Sequence, residues 1–223
     1  MKKLNADTVL FDMGGTLIHL NPSVFEKIIR KYIPSYSIPK GFRQIDIDSK
    51  GVIRIGKISD AVQNYFKEIL RKLKIDQDTQ RLVLKDLVDI ASISSKTLWN
   101  EIDIEAQDVL SYLSKNYKLG IISNNVGDAN DQLENGGLSH FFKIIVDSSI
   151  VGLEKPNPEI FLYAAGMLNT NPKRCVYIGD LYEWDALGAL KAGMIPILVH
   201  SPKVLMRKEI INIGSLIELK NLL

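Results

Sequence analysis

The sequence has very little cysteine and histidine. Its 223 residues include one cysteine, Cys175, and three histidines. A single cysteine forms no intrachain disulfide and no cysteine-based zinc site, and three histidines are too few for a histidine-rich metal site. A disulfide-stabilised fold and a thiolate metal centre are therefore both excluded.

The sequence also lacks an excess of charge of one sign and any long hydrophobic run. Lys and Arg number 28 and Asp and Glu number 26, for a formal net charge of +2, which gives no reason to expect a nucleic-acid or membrane-surface partner. No apolar run approaches the ~20 residues of a membrane-spanning helix. Asn5 and Asp7 interrupt the apolar stretch that a signal peptide would need. We expect a cytoplasmic protein with a small-molecule partner, and the sequence does not predict its oligomeric state.

Short apolar runs are what the sequence does contain, and each has the length of a strand buried on both faces. The first, residues 8–11, ends at Asp12 and a glycine turn. Similar runs lie at residues 119–122, 144–146, 175–178 and 195–199. Amphipathic helical patterns alternate with them, at residues 105–117, 158–168 and 185–192. This alternation predicts an α/β fold with a doubly wound parallel sheet.

The alternation stops between residues 19 and 102. Helical patterns follow one another there, at residues 22–33, 59–75 and 76–91. We therefore predict a Rossmann-like core made of residues 1–18 and 103–223, and a mostly helical cap domain inserted at residues 19–102, called the cap segment below. Within it, residues 45–48 and 52–55 flank a polar turn at residues 49–51, which predicts a β-hairpin.

Polar side chains follow three of the predicted strands. Asp12 and Ser123 with Asn124 come directly after apolar runs, and Asp180 follows another run after one glycine. Because ligands bind beyond the carboxyl ends of the strands in such sheets, we expect these residues to converge on one crevice, with Lys155 reaching it from a loop. Two carboxylates, a hydroxyl and an ammonium suit phosphoryl transfer. The carboxylates would hold Mg²⁺, and one of them would attack phosphorus.

Four segments, in this order, resemble the four motifs of the haloacid dehalogenase superfamily. They are Asp12-Met13-Gly14-Gly15-Thr16-Leu17, Ser123-Asn124, Lys155-Pro156-Asn157-Pro158-Glu159-Ile160-Phe161, and Gly179-Asp180 followed by Asp185. The cap segment falls where that family places its helical C1 cap. The resemblance implies a Mg²⁺-dependent hydrolase. It favours a phosphatase that acts on a small phosphorylated metabolite through an aspartyl-phosphate intermediate.

The resemblance also implies individual roles. Asp12 would be the nucleophile, and Ser123 and Lys155 would assist it in catalysis. The implied metal ligands are Asp12, Asp180, Asp185 and the backbone carbonyl of Gly14. The implied contacts to the phosphoryl group are Ser123, Asn124, Lys155 and Gly15.

One position departs from the family pattern. Phosphatases of this family carry a second Asp, the general acid and base, where this sequence has Gly14. General acid–base help is typically worth ~10²–10⁴-fold in rate. Either His19 or another cap residue replaces this group, or the protein is a weakened enzyme that binds a phosphorylated ligand. A further alternative is a 2-haloacid dehalogenase, whose chemistry needs no Mg²⁺; the pair Asp180 and Asp185 argues against it.

Overall fold

The computed structural model describes residues 3–54, 56–200 and 210–223. Its strands are β1 (Thr8–Phe11), β2 (Ile18–Leu20), β3 (Trp99–Ile102), β4 (Lys118–Ser123), β5 (Ile144–Asp147), β6 (Cys175–Gly179), β7 (Ile195–Val199) and β8 (Ile211–Ile213). One sheet has the order β5-β4-β1-β6-β7-β8, and every neighbouring pair in it is parallel. The predicted α/β fold with a parallel sheet is confirmed. The sequence pattern did not predict β8, which lies at one edge of the sheet.

Helices cover both faces of this sheet and fill the cap segment. They are α1 (Pro22–Arg30), α2 (Phe42–Ser49), α3 (Ile58–Lys72), α4 (Gln77–Ile93), α5 (Ala106–Leu113), α6 (Ala129–Asn135), α7 (Ser148–Val151), α8 (Pro158–Met167), α9 (Leu187–Lys191) and α10 (Leu219–Leu222). Each described helix is too short or too polar to cross a bilayer.

The central strand shows why the runs are continuously apolar. Val9 and Phe11 of β1 face the same hydrophobic cluster as Leu110 of α5, whereas Leu10 faces the cluster that contains Phe161 of α8. Successive side chains of a strand point to opposite faces, so a sheet with helices on both sides buries all of them. Each such side chain contributes about 1.5–3 kcal/mol by leaving water, which fixes β1 at the centre of the sheet.

The cap segment has a hydrophobic cluster of its own. Phe25 of α1, Phe66 of α3 and Leu87 of α4 are fully buried in it. The short antiparallel pair of β2 and β3 connects the segment to the sheet, with Ile18 opposite Ile102. The exact division at residues 19 and 102 stays a prediction.

The predicted hairpin at residues 45–55 is wrong. The chain forms α2 and then a 3₁₀ turn at Lys50–Val52, while Ile55 lies outside the described residues. The buried positions are Phe42, Asp46 and Ser49, which share one helical face. The alternation of Ile and Asp at residues 45–48 is typical of a strand. It does not reveal the helix, because one of the residues that the helix buries, Asp46, is polar. Asp46 accepts hydrogen bonds from Tyr65 and, at 3.2 Å, from Arg43.

Candidate active site

The polar residues at the strand ends meet beside the middle of the sheet. Asp12 follows β1, Ser123 ends β4 and Asp180 follows β6, and these three strands are neighbours. All three side chains are buried. Together with Lys155 they line one cavity of about 440 Å³, whose opposite wall comes from the cap segment. The parallel sheet thus brings together residues that are far apart in sequence.

Lys155 is held by contacts to its ammonium and to its backbone. Its Nζ lies 2.6 Å from Oδ1 of Asp12, 2.7 Å from Oδ1 of Asp185 and 3.0 Å from the hydroxyl of Tyr177. Its backbone N–H donates to Oδ1 of Asn124 at 2.8 Å, and its carbonyl accepts from Nδ2 of Asn124 at 2.9 Å. The side-chain amide of Asn124 therefore fixes the backbone of Lys155 through its oxygen and one of its two N–H groups.

Asp185 is fixed by four hydrogen-bond donors. Oδ2 accepts from the backbone N–H groups of Asp180 and Leu181, at 3.2 and 2.9 Å. Oδ1 accepts from Lys155 and, at 3.0 Å, from the hydroxyl of Tyr177. A side chain at Gly179 would collide with this carboxylate, so a glycine there permits the close approach. The surroundings of Asp185 suit a residue that positions Lys155.

A second lysine reaches the site from the cap segment. Lys50 is 3% exposed, and its Nζ lies 2.5 Å from Oδ2 of Asp180 and 3.4 Å from the carbonyl oxygen of Gly15. The other carboxylate oxygen of Asp180, Oδ1, is buried and has no hydrogen-bond partner among the described residues. An acceptor left this way is costly unless it binds a cation or water.

The glycine pair after Asp12 has two different roles. Gly15 has a φ of 82°, the left-handed region that glycine enters without strain, and a side chain there would collide with Asp180 and Lys50. Its N–H donates to the carbonyl of Ile18 at 2.7 Å, so this N–H is not free for the phosphoryl contact that the resemblance implies. Gly14 lies outside the left-handed region. A Cβ there would have Trp99 as its nearest neighbour, at 3.9 Å.

Burial dominates the electrostatics of the carboxylates. It raises the pKa of Asp12 to about 7, with Lys155 opposing the shift and the charges of Asp185 and Asp180 adding to it. Burial raises the pKa of Asp180 as well, and Lys50 opposes it. Burial disfavours the ammonium of Lys155, but Asp12 and Asp185 outweigh it, so the pKa of Lys155 is raised. With all three carboxyl groups ionised, the site would carry more negative charge than its two lysines neutralise.

These residues fit a hard divalent cation. Asp12, Asp180 and Asp185 each offer a carboxylate oxygen, and these atoms lie within 4.8 Å of one another. Mg²⁺ prefers oxygen ligands and binds through one or two carboxylates together with a phosphate. The buried, unpartnered Oδ1 of Asp180 is the atom that most needs such a partner.

His19 takes part in a different contact. Its Nε2 lies 2.8 Å from Oδ2 of Asp103 and 2.6 Å from Nη2 of Arg43, where β2 joins the sheet to the cap segment. Burial lowers the pKa of His19 to about 4, against the opposing effect of Asp103. A neutral histidine engaged with Asp103 is not placed to replace the missing acid at position 14.

Comparison with known proteins identifies the family. Residues 6–193 match the family model for haloacid dehalogenase-like hydrolases. The chain belongs to this hydrolase family. It is 31% identical over 196 residues to the glyceraldehyde 3-phosphate phosphatase of Methanothermobacter thermautotrophicus, which covers 86% of this chain and 85% of the relative. It is 28% identical over 201 residues to the pyrophosphatase PpaX of Bacillus pumilus, covering 86% of this chain and 82% of that one.

The same fold occurs in solved structures of the family. The YfnB protein of Bacillus subtilis, whose crystal structure is bound to magnesium, has a TM-score of 0.67 and 22% identity, over 99% of this chain and 98% of that one. A 2-haloacid dehalogenase from Pseudomonas syringae has a TM-score of 0.60 and 23% identity, over 97% of each chain. Since this chain is similar both to a relative named as a phosphatase and to a dehalogenase structure, the reaction has to be argued from the site.

Sequence reasoning does not identify two residues of the candidate site. Tyr177 lies inside an apolar run, where aromatic residues usually serve packing, and its spacing from Asp185 gives no signal of their contact. Lys50 lies in a polar stretch of the cap segment, where a lysine is ordinarily exposed. Only the folded chain shows that both reach the buried carboxylates.

Proposed function

We propose that this hydrolase is a Mg²⁺-dependent phosphatase that acts on a small phosphorylated metabolite, with Asp12 as the nucleophile. The observation that carries the proposal is the buried Asp12 carboxylate, whose Oδ1 lies 2.6 Å from the ammonium of Lys155 beside two further carboxylates. The named activities of the relatives, a glyceraldehyde 3-phosphate phosphatase and a pyrophosphatase, support the same reaction class.

The proposed reaction has two steps. The Asp12 carboxylate attacks phosphorus, an acyl phosphate forms and the bond to the leaving oxygen breaks. Water then attacks phosphorus, which releases phosphate and restores the carboxylate. Lys155 and the hydroxyl of Ser123 stabilise the negative charge on the phosphoryl oxygens in both steps.

The metal has its own set of proposed ligands. Asp12, Asp180 and the carbonyl of Gly14 would hold Mg²⁺, and when bound it would neutralise and orient the phosphoryl group. Asp185, whose two oxygens accept four hydrogen bonds, holds Lys155 and would also hold water bound to the metal. A cytoplasmic location and the absence of nucleic-acid and membrane partners remain parts of the proposal.

Hydrolysis of carbon–halogen bonds is the second candidate. It shares the aspartyl nucleophile but has no use for a cation. The unpartnered Oδ1 of Asp180 therefore favours the phosphatase.

The test is a phosphatase assay with matched controls. Chelator-treated protein should release no phosphate from p-nitrophenyl phosphate, acetyl phosphate or glyceraldehyde 3-phosphate, and Mg²⁺ should restore activity on at least one of them. Asp12→Asn, which is nearly isosteric, should abolish turnover, whereas Asp48→Asn at an exposed cap position should not. Metal-independent turnover, or halide release from 2-chloropropionate without phosphatase activity, would refute the proposal.

A further inference from the structure

The cavity has two chemically different halves. The core half carries the charged and polar groups of Asp12, Ser123, Lys155 and Asp180. Its lining also includes Asn125, Gln132 and Trp184, each with one buried side-chain atom that has no hydrogen-bond partner among the described residues. The cap half is formed mainly by hydrocarbon and an indole ring, from Ile53, Ile58, Val62, Val88, Ala91 and Trp99. A phosphoryl group fits the first half, and the second half is what the rest of the substrate meets.

Most polar groups of the cap half are already engaged with protein atoms. Lys50 pairs with Asp180, and the Tyr65 hydroxyl donates to Asp46. The Oγ atoms of Ser92 and Ser95 donate at 2.8 and 2.6 Å to the carbonyl of Asp89 and to Oδ1 of Asn125. The remaining cap hydroxyl, Ser59, belongs to an exposed residue.

A polyhydroxylated leaving group would be poorly accommodated there. Each hydroxyl placed against Val62, Val88 or Ala91 would lose its water without gaining a partner, which is unfavourable. An apolar group gains affinity at the same place because its surface leaves water. The volume of about 440 Å³ lies within the range of pockets that enclose whole organic ligands.

We propose that the site takes phosphomonoesters whose organic part is apolar, an alkyl or aryl group, in preference to sugar phosphates. The inference rests on the phosphatase function proposed above. In the overall reaction the ester P–O bond breaks, the oxygen of water ends on phosphate and its proton ends on the released alcohol or phenol. Apolarity of the organic part governs binding in the cap half, whereas the basicity of the leaving oxygen governs the chemistry in the core half.

A chain-length series separates binding from chemistry. Binding of n-alkyl phosphonates, from ethyl to octyl, is measured by titration calorimetry on the Mg²⁺-loaded protein, because the C–P bond gives no turnover. The dissociation constant should fall about fourfold per methylene, the factor expected for burying one methylene, until the cap half is full. In parallel, kcat/KM is compared for hexyl phosphate and glucose 6-phosphate, whose leaving oxygens are both primary alcohols. Hexyl phosphate should be the better substrate.

Near-isosteric variants assign the effect to the cap half. Val88→Thr and Val62→Thr each place a hydroxyl in the cavity and should reduce the gain per methylene. Ile93→Thr, on the same helix as Val88 but 82% exposed, should leave the series unchanged. Two cavity variants guard against a folding defect in either one.

The outcomes are distinguishable from those of the proposed function. The inference is overturned if the dissociation constants of the phosphonates do not change with chain length, or if glucose 6-phosphate is the better substrate. Either result counts even if p-nitrophenyl phosphate is hydrolysed. If phosphonate affinity rises with chain length in a protein that hydrolyses no phosphate ester, the apolar cap half is supported and the phosphatase function is overturned. Absence of both binding and turnover overturns both.

Discussion

The ammonium of Lys50 lies 2.5 Å from Oδ2 of Asp180, and both side chains are almost fully buried, at 4% and 2% exposure. Lys50 belongs to the cap segment, and Asp180 follows the core strand β6. This ion pair therefore connects the cap segment to the proposed metal site. Because Lys50 already partly neutralises Asp180, it competes electrostatically with any cation bound to that carboxylate.

Replacing Lys50 should make the protein more dependent on Mg²⁺ for stability. Lys50→Met leaves Asp180 buried without its partner, which typically costs about 3–5 kcal/mol. We expect a lower Tm for the metal-free variant and a larger rise in Tm on adding Mg²⁺ than in the wild type. Lys57→Met, at an exposed cap position, is the matched control. An unchanged response to Mg²⁺ would show that Lys50 exerts no effect on the metal site.

Tyr177→Phe should weaken the positioning of Lys155. The Tyr177 hydroxyl lies 3.0 Å from both Nζ of Lys155 and Oδ1 of Asp185, and its removal takes one partner from each. We expect a loss of about 1–2 kcal/mol in the free energy of unfolding and a fall of severalfold in kcat with little change in KM. Urea denaturation and steady-state kinetics measure these effects. Tyr163→Phe, on the exposed face of α8, should change neither, and a Tyr177→Phe enzyme equal to wild type would contradict the role.

An element of this fold is predictable from the sequence where its residue pattern alone determines its burial. The strand β1 and its terminal Asp12 were predictable because burial on both faces leaves an uninterrupted apolar run that ends in a polar residue. The helix α2 was not, because its buried side chains include Asp46, whose partners Tyr65 and Arg43 are known only after folding.

The same distinction applies to the candidate site. The residues of the four motifs could be proposed from the sequence because strand ends in a parallel sheet converge by topology. Lys50 and Tyr177 could not, since each depends on a tertiary contact with Asp180 or Asp185. The role of Gly14 was also open, because a sequence does not distinguish a glycine required by its φ from one that only leaves space.

His19 should make stability fall in mild acid. Its pKa is about 4 in the folded protein, because burial disfavours the charged ring and outweighs Asp103, while Arg43 and Lys50 also oppose protonation; in the unfolded chain it is about 6.5. The folded-state pKa is depressed, so its contribution is complete above pH ~6.5 and is lost as the pH falls through the folded value. The total change amounts to about 3 kcal/mol.

The measurement for His19 is the difference between variants. Unfolding free energies of wild type and His19→Gln, from urea titrations between pH 4 and 7, should converge as the pH decreases. His140→Gln removes an exposed histidine and should run parallel to wild type. Parallel curves for His19→Gln would mean that His19 titrates normally in the folded protein.

The last prediction concerns the missing acid at Gly14. A leaving oxygen of low basicity needs no proton in the transition state, so wild type should hydrolyse aryl and acyl phosphates faster than alkyl phosphates. Without a base at position 14 to activate water, hydrolysis of the acyl phosphate should be the slow step. Rapid mixing with p-nitrophenyl phosphate should then show a burst of p-nitrophenol followed by a low steady rate.

Restoring a carboxylate should remove that burst and raise the steady rate. Gly14 lies outside the left-handed region, and the nearest atom to an added Cβ is Trp99 Cδ1 at 3.9 Å, so Gly14→Asp fits without backbone strain. We expect a gain of about 10²-fold, the lower end of general acid–base catalysis. Gly14→Asn has the same shape without the base and should keep the slow phase, which separates catalysis from any effect of filling the space beside Trp99. A wild type that turns over alkyl phosphates rapidly and without a burst would refute the prediction, and would require another acid, because His19 is held by Asp103.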